Sequence, residues 1–428
     1  MIGIIMFFVA LFALALGFPV AFTFGGMAVL FGIYAEGIDM FGYMPYRIFS
    51  TMENVTLMAI PLFVFMGVVL QKTRLAEQLL EAMGTLFGRV RGGLAISTIF
   101  VGALLAASTG VVGASVVAMG LISLPVMLKY KYDIPLACGT ICASGTLGQI
   151  IPPSIILIIL GDVMGIPVGD LFKAAVGPGM LLIGVYILYI LIRAYFSPEV
   201  APAMPEDDSR TRQQTVWIAL KSVLPPLILI LVVLGSIFAG IATPTESSAL
   251  GGVGAIVLSM LYGKFNANMI YEAAKETVNV TAMVFAILLG ATAFSMVFSY
   301  TGGDYIIEEW LMQLPGEKIG FIILSMLVIL VLGFFIDFVE ITYIIVPILA
   351  PVAINMDIAP LWFAILIALN LQTSFLTPPF GFSLFYLKGV APPQVQTRHI
   401  YQGVIPFILM QGSVVVAVIA FPEFFGLL

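Results

Sequence analysis

The chain has 428 residues, of which 61% are hydrophobic and only 9% charged, with a mean hydropathy of +1.15. Soluble domains carry about 25% charged residues, so this composition excludes a soluble globular protein and leaves an all-α polytopic membrane protein. The net charge of -6 says less than where the charges sit along the chain. One histidine, His399, argues against a histidine-built metal site. No G-x-x-x-x-G-K-[ST], G-x-S-x-G or H-E-x-x-H stretch occurs, so neither ATP chemistry nor a common hydrolase centre is indicated. No catalytic residue and no nucleic-acid partner is expected. Cys138 and Cys142 lie one helical turn apart in an apolar stretch and read as small packing residues.

In chain order, two apolar stretches, 2–17 and 18–34, are interrupted at Gly17-Phe18-Pro19. The N-terminus lacks a basic region of the kind that precedes a cleavable signal, so it reads as a retained helix. An acidic loop with Glu36, Asp39, Glu53 and one Arg47 precedes a span at about 54–70. Residues 72–91 mix Lys72, Arg74, Glu77, Glu81, Arg89 and Arg91 with Leu75, Leu79 and Met83 on one face, which predicts an interfacial amphipathic helix. Residues 93–128 are split near 108–115 into arms short for a bilayer that needs about 20 residues, so a re-entrant hairpin fits. A span at about 135–160 is broken at Pro152-Pro153, and another runs over 171–196. After a soluble-looking linker, 197–213, come a span at 216–239, a break at Gly240–Pro244 and a span at 245–262. An amphipathic piece at 267–278 precedes a span at 279–299 and an interfacial helix at 303–314. A second split stretch at 317–352, a span at 360–388 broken at Pro378-Pro379, and a last span at 400–421 complete the chain.

Pro152 and Pro378, Pro125 and Pro351, Gly177 and Gly403, and Gly25 and Gly251 are each 226 residues apart. A shared offset with matched broken helices is a signature of secondary transporters. The expected organisation is therefore two inverted repeats, 1–196 and 214–428, joined by a cytoplasmic linker at 197–213. Each repeat has a re-entrant helical hairpin (about 93–128 and about 317–352) and a broken transmembrane helix. Five crossings per half, with both termini outside, put most Lys and Arg residues on the cytoplasmic side, as the positive-inside rule requires. Only Arg47, Lys173 and Lys318 fall outside. The first hairpin then enters from the cytoplasm and the second from the opposite side.

Backbone breaks at membrane depth survive only inside protein or beside a cavity, so the hairpin tips and Pro-Pro breaks are the candidate site. Their polar side chains are Ser108, Thr109, Ser115, Ser144, Thr146, Gln149, Asp337, Glu340, Thr342, Asn370, Gln372, Thr373, Ser374 and Thr377. Oxygens suit a hard cation, and half-helix N-termini suit an anion, so cation-coupled anion transport fits. Structural readings stand beside this one. Asp337-x-x-Glu340 and Thr243-Pro-Thr-Glu246 both have capping-box spacing. Serines and threonines in membrane helices commonly bond their own backbone. Gly25-Gly26 and Gly251-Gly252 read as close helix packing. An intramembrane hydrolase would need Ser108 or Ser115 to meet a base.

Ala59–Gly67 (AIPLFVFMG), Gly110–Gly120 (GVVGASVVAMG), Gly145–Ser154 (GTLGQIIPPS), Leu171–Gly179 (LFKAAVGPG), Gly240–Glu246 (GIATPTE) and Leu376–Gly381 (LTPPFG) together resemble the large membrane subunit of tripartite ATP-independent periplasmic (TRAP) transporters. The resemblance implies an elevator mechanism, sodium as coupling ion with no other cofactor, and a bacterial inner-membrane location. It also implies a small four-helix membrane subunit, a periplasmic solute-binding protein and a small carboxylate substrate such as a C4-dicarboxylate. Carried onto matching positions, sodium would involve Ser108, Thr109, Gly110, Gly113, Ser115, Ser144, Gly145 and Gly148 in the first half. In the second half it would involve Asp337, Glu340, Thr342, Thr373 and Thr377. Ser144, Thr146, Thr373 and Ser374 would contact substrate, and Pro152, Pro153, Pro378 and Pro379 make the breaks. Leu371-Gln-Thr-Ser-Phe375 replaces the glycine-rich approach of many relatives and is similar to the branch linked to monocarboxylates and 2-oxo acids. A stand-alone sodium/dicarboxylate symporter is the nearest alternative.

Overall fold

In hydrocarbon a backbone must satisfy its N–H and C=O groups within its own segment, and helices accordingly carry nearly the whole chain. The computed structural model describes residues 1–428 apart from Arg74, Arg89, Val111 and 205–211; the side chains of Leu75, Ala76, Ser108, Thr109 and Arg212 also lie outside the described part. Among the described residues there are twenty α-helices and no strand. The first ten are α1 (Ile2–Ala15), α2 (Val20–Glu36), α3 (Met44–Met52), α4 (Ala59–Lys72), α5 (Leu75–Phe87), α6 (Gly93–Thr109), α7 (Val112–Lys129), α8 (Ile134–Thr146), α9 (Ile155–Met164) and α10 (Val168–Phe196). The second ten are α11 (Arg212–Phe238), α12 (Pro244–Leu261), α13 (Ala267–Tyr300), α14 (Gly303–Met312), α15 (Glu317–Leu332), α16 (Phe338–Ile344), α17 (Val346–Asn355), α18 (Pro360–Leu376), α19 (Phe382–Val390) and α20 (Thr397–Ala420). Among the described residues, six helical stretches are long and apolar enough to cross a membrane, or seven if the pair α16–α17, bent by 50°, is one span.

The 226-residue offset reappears in the helix limits. Shifted by 226, α2, α7, α8, α9 and α10 fall within four residues of α12, α16–α17, α18, α19 and α20. Both Pro152-Pro153 and Pro378-Pro379 are cis, and Lys131 and Asp357, again 226 apart, both take positive φ just past α7 and α17. The halves do not stand alone. Helix α2 packs on α13 while α4 packs on α12, and α7 packs on α19 while α9 packs on α16 and α17. Each half therefore completes its apolar contacts on the other.

The tightest crossing joins α8 to α20. A Cβ on Gly139 would collide with the carbonyl of Gly403, and a Cβ on Gly403 with the carbonyl of Pro135. Small residues let membrane helices approach to backbone contact, and here they bring α20 onto the segment just before the first break.

Several expectations shift. The first hairpin is interrupted only around Gly110, not over 108–115, so its arms are 17 and 18 residues long, and α7 has the length and apolarity of a span. The amphipathic piece at 267–278 and the span after it form one continuous 34-residue helix, α13, because no glycine or proline interrupts the pattern before Gly290. Of the linker, 205–211 lies outside the described residues, but its start is docked: Gly92 N–H donates to Ala201 O at 2.9 Å, and Asp133 N–H to Val200 O at 2.9 Å. Gly251 does sit against Met66, but Gly26 has open space where a Cβ would go. The close contact between α2 and α13 is made instead by Gly290 against the backbone of Ala21. Leu79 is buried and Met83 half-buried on α5, as one apolar face requires; Leu75's side chain is outside the described part.

Candidate functional site at the two broken helices

Each Pro-Pro break frees carbonyls at the end of the helix before it, and buried carbonyls need donors. The same solution appears twice. Ser154 Oγ donates to Gln149 O at 2.6 Å, and Ser383 Oγ donates to Phe375 O at 2.8 Å. Gln149 and Phe375 are 226 residues apart, so corresponding carbonyls are each bonded by a serine beyond the break. Tyr401 Oη adds a bond to Pro379 O at 2.7 Å.

The hairpins clasp these breaks. Gly110 ends α6 with φ 60°, and a Cβ there would come within 3.0 Å of Ile155 at the start of α9. That glycine lets the first tip lie against the second half of the broken helix. Gly148 lies against Ala106, and in the second half Gly333 lies against Ser374. The offset pairs Gly148 with Ser374, so the glycine has moved from the broken helix to the hairpin. Gly113 faces the ring of Tyr386 and Gly145 faces Val116, which makes both packing positions. The two broken helices also touch: α18 contacts both α8 and the single turn at Leu147–Gln149.

The hydroxyls share one arrangement. Ser144 Oγ donates to Ile141 O (3.0 Å), Thr146 Oγ1 to Ala143 O (2.9 Å) and Thr342 Oγ1 to Phe338 O (2.7 Å). Thr373 Oγ1 donates to Leu369 O (2.9 Å), Ser374 Oγ to Leu371 O (2.7 Å) and Thr377 Oγ1 to Thr373 O (2.7 Å). With each hydrogen committed to its own helix, the oxygen lone pairs remain as acceptors. The structural reading of these residues therefore holds, and it is compatible with a cation ligand, which needs lone pairs only. Ser115 is buried. The side chains of Ser108 and Thr109 lie outside the described residues.

Asp337 is the N-cap of α16, with its Oδ1 accepting from Phe338 N–H at 2.6 Å. That differs from the capping box its spacing implied, in which the third residue's N–H would be the donor. Glu340 is buried, and its Oε2 has no hydrogen-bond partner. By contrast, Thr243 and Glu246 form the reciprocal capping box expected of them. Asn370 is spent on structure, donating to Met326 O at 2.6 Å.

Gln149 and Gln372 are buried, and neither the Nε2 nor the Oε1 of either side chain has a partner. An unpaired buried amide costs roughly 1–3 kcal/mol. Position near a break was the only sequence signal for them, and it gave them no role. Gln411 was not signalled at all, yet its Nε2 reaches Thr146 Oγ1 at 3.4 Å from α20. For Gln372→Leu, the expected result is an unchanged or higher melting temperature in detergent together with reduced uptake. A fall of several degrees would mean that the amide is bonded within the protein.

These features define an all-helical, multi-pass membrane protein whose polar groups gather where two apolar helices are broken. The chain matches the family model described as "Tripartite ATP-independent periplasmic transporter, DctM component" over residues 4–424, and it belongs to that family of TRAP transporter large permeases. It is 32% identical over 348 residues to the C4-dicarboxylate TRAP transporter large permease protein DctM of Pseudomonas aeruginosa, covering 80% of this chain and 79% of that protein. It is 30% identical to the ectoine/5-hydroxyectoine permease UehC of Ruegeria pomeroyi, covering 98% and 96%. The sialic acid permease SiaM of Vibrio cholerae is 28% identical, covering 95% and 94%. The crystal structure of the Alcanivorax borkumensis YdaH transporter shares the fold, with a TM-score of 0.62 at 15% identity over 91% of this chain and 90% of that one. Family members are transporters and not enzymes. His399, the histidine a hydrolase reading would turn to, lies in the cap of α20, its Nδ1 accepting from Gln396 N–H at 3.3 Å.

Proposed function

We propose that this chain is the large membrane subunit of a sodium-driven, binding-protein-dependent importer of small organic acids in a bacterial inner membrane. Both termini face the periplasm in this reading, and the repeats are inverted with re-entrant hairpins. The two hairpins and broken helices slide as one body against α2, α4, α12 and α13. A small four-helix subunit and a periplasmic solute-binding protein complete the transporter. The observation that carries the reading is the paired enclosure of the breaks. Acceptor oxygens of Ser144, Thr146, Thr373 and Thr377, and the acids Asp337 and Glu340, lie on the helices that end or begin at the breaks and tips, which this reading sets at membrane depth. Ionisable groups at that depth mark ion and substrate paths. A membrane potential supplies about 2.3 kcal/mol per charge per 100 mV, so one or two net charges suffice to concentrate an acid. Among the substrates named for relatives, C4-dicarboxylates suit the hard-cation and carboxylate chemistry of these breaks; Leu371–Phe375 favours a monocarboxylate or 2-oxo acid as the alternative cargo.

The test is uptake of labelled succinate and pyruvate into vesicles holding this chain and its small subunit. Accumulation is expected only with an inward sodium gradient and a loaded binding protein outside. Uptake that persists without the binding protein would instead make this a stand-alone symporter.

A further inference from the structure

Away from the breaks, two adjoining cavities of about 290 and 480 Å³ share Arg47, Ser50, Thr51 and Thr292 and form one polar trough. It lies between α3 and α13 on one side and α9 and α16 on the other, so it bridges the two bodies that the proposed function sets in relative motion. Arg47 is the only cation lining it among the described residues, its side chain is exposed, and it makes no ion pair there. Asp162 is the only acid in the lining, and it already accepts a bond from Asn54 Nδ2. On the far wall Tyr343 is buried, with an unpartnered hydroxyl. The trough therefore presents an uncommitted guanidinium, whose fork of donors matches a carboxylate, while its one lining carboxylate, Asp162, is held by Asn54 and the Tyr343 hydroxyl is buried within the far wall.

We infer that this trough is a receiving site for a small carboxylate anion, with Arg47 as the recognising group, ahead of the broken-helix centre. The inference rests on the import reading and on its orientation, which places Arg47 on the outer side. Carboxylate held by Arg47 would stand between α13 of the static body, with α3 beside it, and the tip-bearing wall, α16. Movement of α16 would then carry it inward.

The test uses Ser50→Cys, one turn from Arg47 on α3; both native cysteines are buried, so the new thiol is the one that reacts. Intact cells are treated with two impermeant thiosulfonates, one bearing a sulfonate and one a trimethylammonium group. The ratio of the sulfonate rate to the trimethylammonium rate is expected to fall when Arg47→Gln is added, by roughly tenfold for loss of a unit charge ~6 Å away. A ratio unchanged by Arg47→Gln, or no labelling with Arg47 present, would overturn the site. Labelling only in inside-out vesicles would overturn the orientation and the import reading with it. In vesicles with saturating loaded binding protein, Arg47→Gln should cut the maximal uptake rate by roughly tenfold, Arg47→Lys should restore part of it, and Lys173→Gln on α10 should change nothing. A defect that disappears as binding protein is raised would make Arg47 a protein-docking contact and end the proposal.

Discussion

Asp337→Ala is expected to lower sodium-dependent uptake by roughly 10- to 100-fold, the equivalent of losing one charged ligand worth ~1.5–3 kcal/mol, while the protein still assembles. Asp337 caps α16 through Phe338 N–H at 2.6 Å, and loss of a cap costs only about 1 kcal/mol. A polytopic protein with this much buried apolar contact tolerates that loss. The cap and the charge can be separated. Asparagine caps a helix about as well as aspartate but carries no charge, so Asp337→Asn should keep the melting temperature and still lose transport. Sodium-dependent uptake in reconstituted vesicles, read beside thermal unfolding in detergent, makes the comparison. Normal uptake by Asp337→Asn would reduce Asp337 to a cap. Glu340 sits one turn on, with Oε2 unpaired. Glu340→Gln should have a smaller effect if Asp337 is the principal ligand.

Gly139→Val and Gly403→Val should each prevent recovery of a monodisperse protein. The added carbons would strike backbone on both sides of the α8–α20 crossing, Gly403 in one case and Pro135 in the other. No rotamer relieves a clash with backbone, so the helices must separate. Overpacking costs about 1–3 kcal/mol where side chains can adjust and more where they cannot. Gly412, also on α20, has nothing within 4 Å of a built Cβ, so Gly412→Val is the matched control and should purify normally. Size-exclusion profiles of the three variants read the result. A normal profile for Gly139→Val would mean that the two helices can part at little cost. Because α8 carries Ser144 and Thr146, and Gln411 on α20 reaches Thr146, partial separation should also lower uptake.

Much of this molecule is legible residue by residue. Low charge and long apolar runs place it in a membrane because hydrocarbon excludes charged groups. A double proline alone does not decide a break, since Pro225-Pro226 lies inside the unbroken α11, but the prolines at 152–153 and 378–379 fall at the breaks, where each lacks an N–H and removes a helix bond. Their common offset survives in the helix limits, in the cis bonds and in the serines that bond corresponding carbonyls. Thr243 and Glu246 form a capping box because every group involved lies within four residues. All of these are local properties, or comparisons of one local property at two places.

Tertiary structure decided what depends on segments distant in the chain. Gly177 and Gly403 are matched by the offset, yet only Gly403 forms a backbone crossing, because its partner is Gly139 of the other half. Gln372 and Thr373 are neighbours in sequence, but one has an unpaired amide and the other a satisfied hydroxyl, because a long amide cannot fold back onto its own helix as a threonine does. Arg47 reads as one basic residue in an acidic loop; packing of α3 against α13, with α9 and α16 lining the same cavity, makes it the cation of a trough. The sequence by itself determined the solvent, the helices and where they break, since hydropathy and backbone geometry act over a few residues. Which half packs on which, and which polar groups are left with donors or acceptors to spare, came from the packed structure alone, since those partners are up to 265 residues apart.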